Sequence, residues 1–429
     1  MDELHYQNGF ANEHESEASP GTLPVGRNSP QRPAHGLYTE QLSGTSFTAG
    51  RSEFRRSWLY RIRPSAAHAD FVPVDNARYF EAGSASFVPS RFRWMPLPLP
   101  TGSTNFIEGL HTMAIAGSPE SREGAAYHVY AAASSMDFAF SNHDAEMLVF
   151  PQSGTLRAIT EFGVLEIGPQ ELLLIPRGVK FRIELPDGAS RGYVCENFGA
   201  HLRLPELGPI GSNGLANARD FQAPTAWFED VRQTTRLLVK FAGSLWQCDL
   251  DHSPFDVVAW HGNLCPYKYD MMRFMSINSV SYDHADPSIG ALLTSPSAFT
   301  GTPNFEIAIF PPRWLVAEDT FRPPWFHRNV MCEFVGVLSG LHEAHGSGFP
   351  PGACSLHNSF AAHGPDPAVF ERASSVALSP EKLSGSILAV FETRLPCRVS
   401  AFARSTPLRK PAYDATWDTL PLVTPPKFA

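Results

Sequence analysis

Charge is scarce in this chain, and so are the features that would tie it to nucleic acid, membrane or a disulfide scaffold. Charged residues make up 18% of 429 positions and sum to a net charge of -9, against about 25% charged in an average globular protein. No basic stripe stands out, so neither a nucleic-acid backbone nor an anionic membrane surface is expected as partner. No stretch approaches the ~18 consecutive apolar residues of a membrane span, and Met1 to Pro20 is polar and acid-rich, with no apolar segment behind a basic start. The expectation is a soluble, cytoplasmic protein. The six cysteines, at 195, 248, 265, 332, 354 and 397, form no CxxC pair. They read as buried thiols of a reducing compartment, which excludes a zinc knuckle or a disulfide framework.

Proline and glycine, by contrast, are plentiful. With 38 Pro and 32 Gly, the chain suits many short strands joined by turns better than long helices. Its length suggests two domains, read as 1–275 and 276–429. The first sixty residues hold turn formers such as Ser19-Pro20-Gly21, yet also Phe10, Leu23, Tyr38, Trp58, Leu59 and Tyr60. That apolar content predicts an ordered N-terminal arm wrapping the fold. Between 145 and 185, EMLVF, LRAIT, VLEI, ELLLI and FRIEL alternate with glycine and proline turns, the mark of a β-sandwich meander. This looks like a cupin-type jelly roll. His143, Asp144 and Glu146 stand where a metal-binding cupin carries its first ligands, but Lys180 and Phe181 stand where the last histidine belongs, so a metal-free N-terminal sandwich is expected. A helix is expected near 228–240. Alternation in NFEIAIF and the run 387–391 predict a second, smaller sandwich. The fold class is thus mainly β, two-domain and bicupin-like.

The segment PPWFHRNVMCEFVGVLSG, from Pro323 to Gly340, carries the clearest chemistry. An extended chain through 327–333 places His327, Asn329 and Glu333 on one face and Val330 and Cys332 on the other. Such a strand is buried on both sides, where an uncompensated imidazole or carboxylate is costly. A metal ion would compensate it. The spacing resembles the first cupin motif with its second histidine exchanged for Asn329. A third ligand is then needed, and His342, His345, His357 and His363 all follow in turn-rich sequence. Satisfied core histidines explain a lone His and Glu as well; the four histidines behind them favour a metal. Two histidines and a carboxylate on one face of an octahedron suit iron(II), with manganese and zinc open. His284, between two aspartates in SVSYDHADPS, is either a surface histidine or a general base near neutral pH. Arg313, Arg322 and Arg328 read as surface ion-pair formers or as anchors for an anionic substrate.

Longer strings then become recognisable. YQNGFANEHESEA, PGTLPVGRNSPQ, YTEQLSG, RRSWLYRI, HGNLCPYKYD, NSVSYDHADPSI, IFPPRW, HRNVMCEF and AAHGPD together resemble the homogentisate 1,2-dioxygenase family, in order from about Tyr6 to the C-terminal region. The resemblance implies iron(II) held by His327, Glu333 and His363, with His284 as proton acceptor and with His342 and His363 contacting substrate. It implies a small aromatic acid and dioxygen as reactants and a homo-hexamer built as a dimer of trimers. The implied reaction converts homogentisate to 4-maleylacetoacetate, a step of tyrosine and phenylalanine catabolism. Two departures stand out. Relatives carry two tyrosines where this chain has Trp325 and Phe326. They also carry a GxYEAK-like segment where this chain reads GLHEAH, so His342 replaces a tyrosine and His345 a lysine. These differences leave open a related substituted hydroquinone or gentisate-like acid as substrate. A non-catalytic bicupin is the alternative from another class.

Overall fold

The computed structural model describes residues 3–75, 85–206, 215–277, 281–283, 290–342, 344–345 and 348–425. The five runs between 145 and 185 become the strands Glu146–Ser153, Leu156–Thr160, Gly163–Ile167, Glu171–Ile175 and Lys180–Glu184. The first and fourth join a ten-stranded sheet, and the other three join a seven-stranded one. Short apolar strands that leave one sheet and return in the other make a sandwich with the core between them. The early residues add strands too: Tyr6–Asn8 extends the ten-stranded sheet by pairing with Phe221–Pro224, and His14–Glu17 pairs with Val257–Gly262 in a separate four-stranded sheet.

The expected helix near 228–240 is absent. Residues 228–234 are irregular, and Thr235–Phe241 is a strand paired with Ser244–Leu250. The turn between them holds Ala242 and Gly243 at φ 49° and 75°, the conformation that matches hairpin twist. A two-residue turn of this kind outweighs the weak helical pattern before it. All six cysteines are buried free thiols.

A six-stranded sheet forms the second body, in the order Ala291–Ser295, Phe305–Phe310, Ile387–Thr393, Cys332–Ser339, Cys354–His357 and Arg91–Trp94. Strands cross the position-275 division in both directions: Arg91–Trp94 enters this sheet, while Cys397–Val399 pairs with Leu110–Ser118 in the ten-stranded sheet. The two sheets meet through aromatic contacts. Tyr127 stacks on Phe334 at 5.1 Å, and the Tyr193 hydroxyl donates to the carbonyls of Val337 and Ala353 at 3.0 and 2.8 Å. Gly336 permits that approach, because a Cβ there would fall 2.8 Å from the Tyr193 ring. Since Phe334 faces the ten-stranded sheet, alternation turns Glu333 the other way, toward the second body's own interior.

Candidate metal centre

His327 and His363 arrive on irregular chain, not on strands. The His327 N–H donates to the His363 carbonyl at 2.9 Å and the His363 N–H returns the bond at 3.1 Å, an isolated antiparallel bridge. The strand expected through 327–333 is therefore corrected: it begins at Cys332. Asn329 turns the chain before it. Its Oδ1 accepts from the Met331 N–H at 2.9 Å and its carbonyl accepts from the Phe360 N–H at 2.7 Å. A side-chain acceptor this close in sequence competes with ladder pairing. Val330, assigned by alternation to a buried face, is 47% exposed.

The bridge nonetheless brings the three side chains together. His327 Nε2 lies 3.8 Å from Glu333 Oε1, His363 Nε2 lies 2.9 Å from Oε2, and one ligating atom from each residue falls within 4.8 Å of the others. Both imidazoles have Nδ1 against a backbone carbonyl, Trp325 at 2.7 Å and Ala361 at 2.9 Å. A carbonyl can only accept, so Nδ1 carries the proton and the Nε2 lone pair turns inward. Two inward nitrogens and a carboxylate fit a divalent metal. Among the described residues this is the candidate metal site.

The surroundings prepare the carboxylate. Burial alone would raise Glu333, but the imidazoles of His327, His357 and His363 outweigh it and hold the group well below the usual range. Asn329 Nδ2 donates to Glu333 at 2.7 Å and to Glu392 at 3.2 Å. Glu392, paired across the sheet with Glu333, is pushed up to about 8 by burial and then by the charges of Glu333 and Glu306.

His357 and His363 stack with centroids 3.7 Å apart. His357 Nδ1 is 3.5 Å from Glu333 Oε2 but outside hydrogen-bond geometry, while its Nε2 meets the Tyr413 hydroxyl at 2.8 Å. Burial, then the nearby His363, pushes His357 down to about 3, so its ring is neutral. Tyr413→Phe would leave that nitrogen buried without a partner, at an expected cost of about 1–3 kcal/mol. A double-mutant cycle with His357→Gln, read by denaturant unfolding, should show a coupling above about 0.5 kcal/mol; additive losses would mean the bond contributes nothing.

His342 stands apart from the triad. Its ring lies 4.7 Å from His345 and 5.6 Å from Phe349, and its Nδ1 accepts from the Ala344 N–H. His345 Nδ1 in turn meets Asp366 at 2.8 Å. His284 falls outside the described residues. Arg322 is spent on the carbonyls of Ala317 and Ser379, and Arg328 is exposed. In the first sandwich, Glu146 is engaged by His201, Asn197 and the Leu202 N–H, and Asp144 caps the turn at 242–243. Sequence spacing pointed to neither Tyr413, Glu392 nor Arg93, since Glu392 and Arg93 reach the histidines through the sheet and Tyr413 from a 3-10 turn at 411–413.

No helix among the described residues is long and apolar enough to cross a membrane. Solved structures similar to this chain include a cupin 2 conserved barrel domain protein from Leptotrichia buccalis, at 10% identity over 69% of this chain and 92% of that one, TM-score 0.30. A mutant oxalate decarboxylase from Bacillus subtilis is similar at 11% identity over 79% and 82%, TM-score 0.29. Family models reach further: that for the N-terminal part of homogentisate 1,2-dioxygenase matches residues 5–271, and that for its C-terminal part matches 272–423. Two adjoining matches that leave only the chain's ends uncovered show that it belongs to the homogentisate 1,2-dioxygenase family, and is a ring-cleaving dioxygenase.

Proposed function

We propose that the protein converts homogentisate and dioxygen to 4-maleylacetoacetate, using iron(II) held by His327, Glu333 and His363. What carries the reading is the coincidence of the family match with a His, Glu, His cluster whose inward nitrogens are fixed by backbone carbonyls. Iron(II) there would supply open positions for substrate and dioxygen and a path for electrons between them. One carboxylate against a divalent ion leaves a net positive charge, which suits an anionic substrate. Asn329, partly buried, holds the Glu333 carboxylate in place through its Nδ2. His284 is proposed to take the proton from the substrate hydroxyl, which requires an approach of about 2.6–3.2 Å. His342 is proposed to contact the substrate, as is His363 while serving as a ligand.

The test is oxygen uptake by iron-loaded protein. Homogentisate should consume one equivalent of dioxygen and yield the ring-opened product, and elemental analysis should find iron. His342 and Trp325 at positions of family tyrosines favour the second reading, a related hydroquinone or gentisate-like acid. Faster uptake on such an acid, with homogentisate inert, would decide for it.

A further inference from the structure

A guanidinium with two bare nitrogens lies buried beside the metal centre. Arg93 belongs to the edge strand Arg91–Trp94 and is 4% exposed. Pairing sets Arg91 opposite His357 and Arg93 opposite Ser355, while His357 itself is opposite Glu333. Residues opposite each other share a face, and so do residues two apart. Arg93 therefore leaves the sheet on the same face as Glu333 and His357, one step further along. Its guanidinium lies 3.9 Å from the centroid of Tyr413, whose hydroxyl bonds His357, and 4.4 Å from that of Phe349.

Those ring faces attract the charge, and the Tyr413 hydroxyl adds a polar neighbour to the guanidinium. Arg93 Nε and Nη2 are both buried without a hydrogen-bond partner. Asp366, the carboxylate that acts on Arg93 most directly, is turned toward His345 Nδ1 at 2.8 Å. An arginine cannot escape by losing its proton. Nor do the neighbouring histidines share its charge: burial foremost, then nearby positive groups including Arg93, holds His342 and His345 well below their ordinary value. The two bare nitrogens are also the adjacent pair that grips a carboxylate side-on through two parallel hydrogen bonds.

We propose that the Nε and Nη2 edge of Arg93 binds the carboxylate of the aromatic acid, holding the ring's hydroxyls toward His327, Glu333 and His363. This assigns the anionic subsite of the reaction proposed above and rests on that reading.

The test compares homogentisate with its primary amide, which keeps the ring and loses the charge. Binding is measured anaerobically on the full-length, metal-loaded protein by calorimetry. Wild type should prefer the acid by at least ~10-fold, and Arg93→Met should lose about 30-fold or more on the acid and far less on the amide. Arg93→Lys, which keeps charge but not the two-pronged geometry, should fall between them. Unchanged acid preference in either variant, or no preference in wild type, overturns the anchor. If Arg93→Met does not fold, Arg93→Lys and the wild-type comparison still decide. Oxygen uptake in the same wild-type preparation separates the two claims. Preferential acid binding without ring cleavage would sink the reaction and leave the anchor, whereas cleavage of acid and amide at equal KM would do the reverse.

Discussion

Glu333→Ala should strip the protein of metal and reduce oxygen uptake to background while leaving its β structure in place. Glu333 is the meeting point of the centre: its two oxygens face His327 at 3.8 Å and His363 at 2.9 Å, and His357 at 3.5 Å. Loss of a mere outer partner of a metal ligand costs about 10- to 100-fold in affinity or activity, and loss of the central carboxylate should exceed that. The fold should survive because the strand Cys332–Ser339 is held on both edges, by Ile387–Thr393 and Cys354–His357. Its buried contacts with the ten-stranded sheet run through Phe334 and Gly336, not Glu333. Elemental analysis, an oxygen electrode and circular dichroism check the three parts. Full metal occupancy in this variant would remove Glu333 as a ligand.

The second large effect lies far from the metal. Lys240 is fully buried, with its Nζ 2.7 and 2.8 Å from the two oxygens of Glu196 and 3.4 Å from Asp144. Lys240 comes from the seven-stranded sheet and Glu196 from the ten-stranded one, so the pair ties the sandwich through its middle. His128 adds a contact to Glu196 at 3.3 Å. Lys240→Met removes one charge and leaves the other buried, which costs about 3–5 kcal/mol. Thermal and denaturant unfolding should both show the loss.

That loss should depend on pH in a defined direction. Burial pushes Glu196 up, but Lys240 outweighs it and brings the carboxyl to about 2, below the ordinary 4.5. A folded value below the unfolded one means that the contribution is complete above pH 4.5 and disappears as pH falls toward 2. Without Lys240, burial raises the carboxyl above its ordinary value, so the native state then favours the protonated form and weakens as pH rises. The variant should therefore trail wild type most at pH 7, and the gap should narrow by about pH 4. A gap that stays constant from pH 7 to pH 4 would show that the ion pair is not its source.

Alternation and turn chemistry made the first sandwich legible. Strands between 146 and 184 are short, apolar and separated by glycine or proline, and local preference coincides there with tertiary need. The same method failed at two places for the same reason. Near 235 a hairpin turn decided for strand, and at 327–331 the Asn329 side chain and the bridge to 363 decided against one. In both, hydrogen bonds specific to a few atoms outweighed a pattern spread over many residues.

What the chain determined by itself was the class of sheet and the identity of the donors: His327, Glu333 and a histidine from the turn-rich segment that follows. Residue type alone dictates which atoms can bind a metal, and resemblance to the family named His363 among them. Tertiary structure decided how they meet. It joined His327 to His363 through backbone bonds, aimed both Nε2 atoms by carbonyls at Nδ1, and set Tyr413 and Arg93 beside His357 from opposite ends of the chain. Neighbours separated by some 320 positions, as Arg93 and Tyr413 are, leave no periodic trace in sequence, because only tertiary packing brings them into contact.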